Sequence, residues 1–360
     1  MNLINGVEIK MDKQQIAVVF GGVSTEHEIS LISATTIIQH LNQEKYDIHC
    51  IGITREGRML YYTGDVSKIS LGTWEQEQTQ DCIISSSRIH KGFFVLSEDG
   101  YKKLTIDCVI PALHGKNGED GTIQGLLQLV DIPFVGSDAI SCANCMDKEM
   151  THIILQHAKV RMANWSCVRK GEPFEEVCCR LEQQFSYPVF VKPANAGSSI
   201  GVSKASDRQS LHTALECAFQ YDKKVIVEET LVGKEVECAV LGNEFPKASI
   251  AGEISSANVE IYDYDSKYVN PQSQLYIPAR ISEKTMEILR QTAVKAYQAI
   301  GCGGLSRVDF FVTDQEEVIL NEINTFPGFT SISMYPKMWE KTGIPIEKLL
   351  DELITYGLNR

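Results

Sequence analysis

Short apolar runs and helix-spaced apolar positions alternate through the first third of the chain. Ile16-Ala-Val-Val-Phe20 is a continuous apolar run closed by Gly21-Gly22, the pattern of a buried strand that ends in a tight turn. Helical spacing follows over residues 30–41, which predicts a strand, glycine turn and helix opening. Residues 46–53 and 108–113 read as further strands. The second leads into the polar loop His114-Gly-Lys-Asn-Gly-Glu119-Asp120-Gly121, a helix over 122–130 and a short strand over 133–135. These βα repeats predict a first α/β domain over residues 13–140. A new unit starts near Met146-Asp147-Lys148, where Asp147 is placed to cap a helix running to His157. It continues with a strand over 188–192, the small-residue loop Pro193-Ala-Asn-Ala-Gly197-Ser198-Ser199-Ile-Gly201, a helix over 210–221 and a strand over 224–228. From Gly233 the chain is strand-rich and ends in two helices. The remaining units are therefore expected over 141–232 and 233–360. No repeat, low-complexity tract or long Pro/Gly linker separates them, so close packing is expected.

In the last unit, Ser306-Arg-Val-Asp309-Phe-Phe-Val and Ile319-Leu-Asn-Glu322-Ile-Asn324 read as a hairpin joined by the polar stretch Thr313-Asp-Gln-Glu-Glu317. Alternation puts Arg307 and Asp309 on one face of the first strand, and Glu322 and Asn324 on one face of the second. A turn centred on Gln315-Glu316 sets Asp309 opposite Glu322. The bland alternative is a surface hairpin with solvated acids. Here, however, the acids interrupt apolar strands, and buried acids need a partner or a metal. Two carboxylates and an amide oxygen, without Cys or His, suit Mg²⁺, which also takes oxygens from substrate phosphates. Lys192 at the end of a strand, followed by Gly197-Ser198-Ser199 and Gly201, offers a cation and backbone N–H groups suited to phosphate. On its own such a loop is more often a plain turn. Glu228 and Glu235 downstream are acceptors suited to a nucleotide's amino and ribose hydroxyl groups.

Composition narrows the classes. At 360 residues the chain fits two or three packed units, and 43% hydrophobic with 22% charged residues is ordinary for a soluble globular protein. A net charge of −13 argues against nonspecific nucleic-acid binding. No stretch approaches the length of a membrane span, and the first residues lack the apolar core of a signal peptide. The 11 cysteines form no disulfide framework and read as reduced thiols of a cytoplasmic protein. Cys142 and Cys145 have no second pair or nearby His to complete a zinc site. Gly21-Gly22-Val-Ser24-Thr-Glu26-His27-Glu28 lacks the G-x-G-x-x-G fingerprint, which weakens a hydride-transfer reading.

The order of the pieces carries a resemblance: lysine on a helix, lysine on a strand with a small-residue loop, paired glutamates, then Asp and Glu-x-Asn. This resembles the ATP-grasp carboxylate ligases. Five motifs closely resemble the D-alanine–D-alanine ligase family, in the family's order and over nearly the whole chain. They are the run from Gly21 to Glu28 with Ile-Ser-Leu, Leu113-His114-Gly-Lys-Asn-Gly-Glu-Asp-Gly121, Lys192-Pro-Ala-Asn-Ala-Gly-Ser198-Ser-Ile-Gly, Tyr262-Asp-Tyr-Asp-Ser-Lys267-Tyr268, and Asn324-Thr-Phe-Pro-Gly-Phe-Thr-Ser-Ile-Ser333. The resemblance implies an α/β (α+β) ATP-grasp fold with an N-terminal Rossmann-like α/β domain. The implied activity is ATP-dependent ligation of two D-alanines through a D-alanyl phosphate. ATP would be used with two Mg²⁺ ions, Mn²⁺ substituting, in a homodimer formed through the first domain.

Residue by residue, the resemblance assigns Lys148, Lys192 and Ser199 to ATP phosphates, and Glu228, Glu229 and Glu235 to the nucleoside end. Asp309, Glu322 and Asn324 would hold the metal. Glu28 would bind the ammonium of the first D-alanine, with Arg307 and the Gly328 N–H at the oxyanion. Ser198 and Tyr268 would link to Glu28 and close a lid over the reactants. His114, Tyr262, Lys267, Ser333 and Met334 would line the amino-acid subsites. The nearest rival inside the family is a resistance-type ligase making D-Ala-D-Ser or D-Ala-D-Lac. Tyr61-Tyr-Thr-Gly resembles the serine type, while Tyr262 and Met334 match the alanine type. The Lys267-Tyr268 pair speaks against the lactate type. A non-catalytic nucleotide sensor would be expected to have lost a metal ligand or Arg307, and this chain keeps them all.

Overall fold

The computed structural model describes residues 13–197, 200–255 and 274–360. Three sheets organise them. The first has seven strands, in the order Gly100–Thr105, Gly92–Ser97, Thr79–Ile84, Met59–Tyr62, Tyr46–Ile53, Gln14–Gly21, Cys108–Ala112. The strands anticipated from the βα pattern form its parallel end, where Gln14–Gly21 pairs with Tyr46–Ile53 on one side and Cys108–Ala112 on the other. The antiparallel strands beyond Tyr46–Ile53 were not expected. Their burial patterns are short and irregular, as in Thr79–Ile84 and Gly100–Thr105, so they lack a clean two-residue period. Gly21 ends the first strand at φ +87°, and a Cβ there would strike the Ile53 carbonyl, so glycine alone fits.

The second sheet orders Ser203–Ala205, Val189–Pro193, Lys224–Glu229 and Trp165–Arg169, antiparallel throughout. It has its own core, formed with the helices Phe174–Gln184 and Arg208–Ala218. The third orders Gln274–Tyr276, Gly252–Ser255, Lys234–Leu241, Leu305–Val312 and Val318–Asn324, with Lys247–Ala248 beside Lys234–Leu241. On one face lies the helix Glu283–Ile300, absent from the sequence expectation. Its buried line includes Ala293 and Ala296, whose small side chains give a weak apolar signal.

Asp147 caps the helix Lys148–His157 as expected, accepting from the Glu149 and Met150 N–H groups. It is also the C-cap of Ala139–Met146, a helix that runs across the expected junction at residue 140. The two terminal helices, Met334–Thr342 and Ile346–Leu358, return to the start of the chain. Leu349, Leu350 and Leu353 share one core with Ile16, Val18 and Ile110 of the first sheet and with Ala239, Leu241 and Leu305 of the third. Among the described residues no helix is long and apolar enough to cross a membrane.

Candidate active site

The third sheet carries the expected acids in the expected register. Asp309 pairs with Glu322 and Arg307 with Asn324 across the hairpin, which has a bulge between Asp309 and Phe310. On its other side Leu305–Val312 pairs with Lys234–Leu241, and Glu237 falls opposite Asp309. Glu237, Asp309 and Glu322 therefore form a row of carboxylates across three strands. Like charges directly opposite one another destabilise a sheet unless a cation lies among them. Arg307 supplies one positive charge: its Nε and Nη2 each lie 2.7 Å from Asp309 oxygens, and Nε lies 3.2 Å from Glu237. Sequence reasoning missed Glu237, because its strand is paired from a distant part of the chain. Glu235 lies on the same strand face as Glu237, two residues earlier.

The donor set fits Mg²⁺ in an open site. The candidate donor atoms are all oxygens, and Glu237 and Asp309 both reach Arg307. Among the described residues no group of three or more His, Cys, Asp or Glu side chains could hold a metal ion by itself. Asn324 Oδ1 accepts from the Phe326 N–H at 3.1 Å. The acids would thus share a metal with oxygens from phosphate and water, the usual habit of Mg²⁺.

Lys192 and Glu228 lie on neighbouring strands of the second sheet, with Lys192 opposite Ile226. Lys192 Nζ is 2.6 Å from Glu228 Oε2, and His152 Nε2 is 2.8 Å from Oε1. Burial pushes the Glu228 carboxyl up, but the Lys192 charge and the His152 hydrogen bond outweigh it and hold it down at about 2. For Lys192, burial works against the charge, and Glu228 and Glu322 together raise its pKa. The Lys148 ammonium donates to the Ala196 carbonyl at 2.7 Å, which brings it to the small-residue loop that follows Lys192. Glu229 does not join them. Adjacent strand residues face opposite ways, and its carboxylate accepts from the Asn164 N–H at 2.7 Å and side-chain amide at 3.0 Å.

A cleft of about 770 Å³ runs between the first motif, the polar loop after Leu113 and the small-residue loop. Its lining includes Ser24, Glu26, Gly115, Lys116, Ala196 and Gly197. Glu28 was expected here, and the structure corrects that expectation. The helix begins at His27 rather than at residue 30, so Glu28 lies on its outer face, 57% exposed and paired with Arg55. Glu26, at the N-cap, is 8% exposed and reaches the cleft; a Cβ on Gly115 would collide with its carboxylate.

His114 is buried, with Nε2 3.0 Å from Ser33 Oγ, and Ser33 Oγ also accepts from the Phe329 N–H at 3.1 Å. This ties the polar loop to the turn bearing Gly328. Ser33 was not anticipated; its signal is the helix spacing from Glu26 through Ser30. Ser333 Oγ is 2.9 Å from the Thr330 N–H, and a Cβ on Gly328 would lie 2.9 Å from that hydroxyl. Met334 is buried in the main core over Gly252 and is absent from the cleft lining. Ser198, Ser199, Tyr262, Lys267 and Tyr268 lie outside the described residues.

Family models for the D-ala D-ala ligase N-terminus and C-terminus match residues 15–137 and 154–355. A protein of Acetivibrio thermocellus named D-alanine–D-alanine ligase is 48% identical over 97% of each chain. One of Clostridium tetani, named D-alanine–D-alanine ligase B, is 46% identical over 98% of this chain and 96% of its own. Two solved structures are similar. The VanG D-Ala:D-Ser ligase from Enterococcus faecalis is 41% identical, with a TM-score of 0.89 over 96% of this chain and all of that one. The D-alanine-D-alanine ligase from Coxiella burnetii is 36% identical, with a TM-score of 0.84 over 97% and 96% of the two chains.

Proposed function

Because this chain belongs to the D-alanine–D-alanine ligase family, matched over both domains and nearly full length, we infer that it is an ATP-grasp enzyme joining two D-alanines into D-Ala-D-Ala for peptidoglycan precursors. The observation that carries this reading is the acid row with Arg307 on the third sheet. A carboxylate is a poor acylating agent. The carboxylate of the first D-alanine attacks the γ-phosphorus of ATP, the bond to ADP breaks, and D-alanyl phosphate forms. The amine of the second D-alanine then attacks the carbonyl carbon, and phosphate leaves as the amine loses its proton.

Phosphoryl transfer needs positioning and charge neutralisation rather than a protein nucleophile. Lys148, Lys192 and the backbone near Ser199 hold the phosphates. Glu228, whose oxygens each have a second lone pair beyond Lys192 and His152, and Glu235 serve the nucleoside end, and Glu229, which faces the other way onto Asn164, contributes through its backbone. Asp309, Glu322 and Asn324 would hold two Mg²⁺ ions, or Mn²⁺ in their place; when bound, the metal would neutralise phosphate charge. Arg307 and the Gly328 N–H meet the oxyanion that develops when the amine attacks. Glu26, rather than Glu28, takes the first ammonium, linked to Ser198 and Tyr268. His114, Tyr262, Lys267 and Ser333 place the amino acids. A closing segment around Tyr262 to Tyr268 excludes water, because acylphosphates hydrolyse. A three-unit division at 13–140, 141–232 and 233–360, a homodimer through the first unit and a cytoplasmic location complete the reading; its eleven free cysteines support the last.

Likeness to the VanG D-Ala:D-Ser ligase supports a second reading, D-Ala-D-Ser synthesis. An apolar pocket rejects an added hydroxyl by only about 10²-fold. The reading here therefore expects mainly D-Ala-D-Ala, with some D-Ala-D-Ser at high D-serine. Mass spectrometry of products formed from ATP with D-Ala, D-Ser and D-lactate at equal concentration tests it. Mainly D-Ala-D-Ser would put the second reading in its place, and phosphate release independent of D-alanine would remove both.

A further inference from the structure

A buried line of polar contacts leads from the proposed phosphate site to a residue that the ligation chemistry does not use. The two carboxylate oxygens of Glu228 have separate partners, Lys192 on Oε2 and His152 on Oε1. His152 is 3% exposed, and its ring stacks on Trp165 with centroids 4.9 Å apart and planes 22° apart. It sits on the capped helix Lys148–His157, so both backbone and ring plane are held. The carboxylate only accepts, so Nε2 carries the proton it donates. Nδ1 has no hydrogen-bond partner among the described residues. The site thus leaves one buried ring nitrogen unmet while giving Glu228 a single donor on Oε1.

We propose that His152 is a positioning residue for ATP: by occupying one oxygen of Glu228 it restricts that carboxylate to a one-oxygen contact with Lys192, leaving ammonium N–H groups directed to the phosphates. Without His152, Oε1 becomes a buried charged acceptor with nothing to accept from, which is strongly unfavourable. The carboxylate then turns both oxygens onto Lys192 and draws the ammonium back between the strands. Nucleotide affinity falls, while the amino-acid subsites, which lie elsewhere, keep theirs.

The inference rests on the reading of Lys192 as a phosphate ligand, so His152 and Lys192 variants are compared together. Steady-state constants for ATP and D-alanine, and thermal unfolding, are measured for His152→Leu, His152→Gln and Lys192→Met. A lost hydrogen bond to a charged group corresponds to roughly tenfold or more. His152→Leu is expected to raise the ATP KM by that factor, with the D-alanine KM and the kcat at saturating ATP nearly unchanged. His152→Gln, whose amide N–H replaces Nε2–H, restores most of the loss. A purely structural role would lower the unfolding temperature without this split. A parental ATP KM in His152→Leu overturns the proposal, as does a Gln variant as impaired as the Leu variant. If His152→Leu does not fold, His152→Asn, one methylene too short, takes its place with the same two outcomes. An unchanged ATP KM in Lys192→Met removes the phosphate reading itself, and the proposal with it.

Discussion

Glu26 and Glu28 stand two residues apart and face opposite ways, one into the cleft and one to solvent. Glu26→Gln is expected to lower kcat/KM for D-alanine by roughly 10- to 100-fold, the scale of a lost charge-assisted contact. Glu28→Gln is expected to stay within about twofold, as for most exposed pairs. Equal effects in steady-state assays would refute this assignment. The choice between them was legible: a helix begun at Glu26 puts Ser30 and Ser33 on its inward line and leaves Glu28 with Ile32, which is outward. Placing the start at residue 30 hid that line. Glu228 supports a second prediction. Its carboxyl lies at about 2 in the fold against an ordinary 4.5. A depressed pKa adds stability that is full above about pH 4.5 and is lost as pH falls through about 2, in all about 3 kcal/mol. Urea unfolding of Glu228→Gln is expected to show a flatter pH dependence across that window, and an unchanged slope would contradict the pairing.

At the level of elements, the hairpin Leu305–Val312 with Val318–Asn324 was readable because alternation and a polar turn are local signals. Lys234–Leu241 is also a readable strand, but its pairing is not, since register between distant strands leaves no local trace. That is why Glu237 escaped notice while Asp309 and Glu322 did not. The row predicts a graded response to metal. Glu322→Gln removes charge with little volume and should cost about 10²-fold or more in turnover at modest Mg²⁺, the scale of one lost electrostatic stabiliser. Raising Mg²⁺ should recover part of it. Phosphate release and dipeptide yield across a Mg²⁺ series check this, and near-normal turnover at modest Mg²⁺ would take Glu322 out of the mechanism.

Across the whole molecule, one core joins the first sheet, the third sheet and the last helix, whereas the second sheet keeps its own. Leu350, fully buried in the shared core, ties the ends of the chain together. Leu350→Ala is expected to destabilise by about 3 kcal/mol. Amide exchange should speed up in the first and third sheets together and change little in the second; loss confined to the last helix would contradict a shared core. No local pattern announces such a contact, because the residues meet only once the chain has closed on itself. The second sheet's separateness has a consequence through Lys148. Its N–H donates to the Ala194 carbonyl at 3.0 Å, its ammonium reaches Ala196, and Asp147 beside it pairs with Lys224. Lys148 and Lys192, the two lysines proposed for phosphate, are therefore both held by partners in that unit before any nucleotide arrives. A nucleotide bound as proposed would meet cations already set at their spacing, so little side-chain entropy would be lost on binding and the affinity would be correspondingly preorganised.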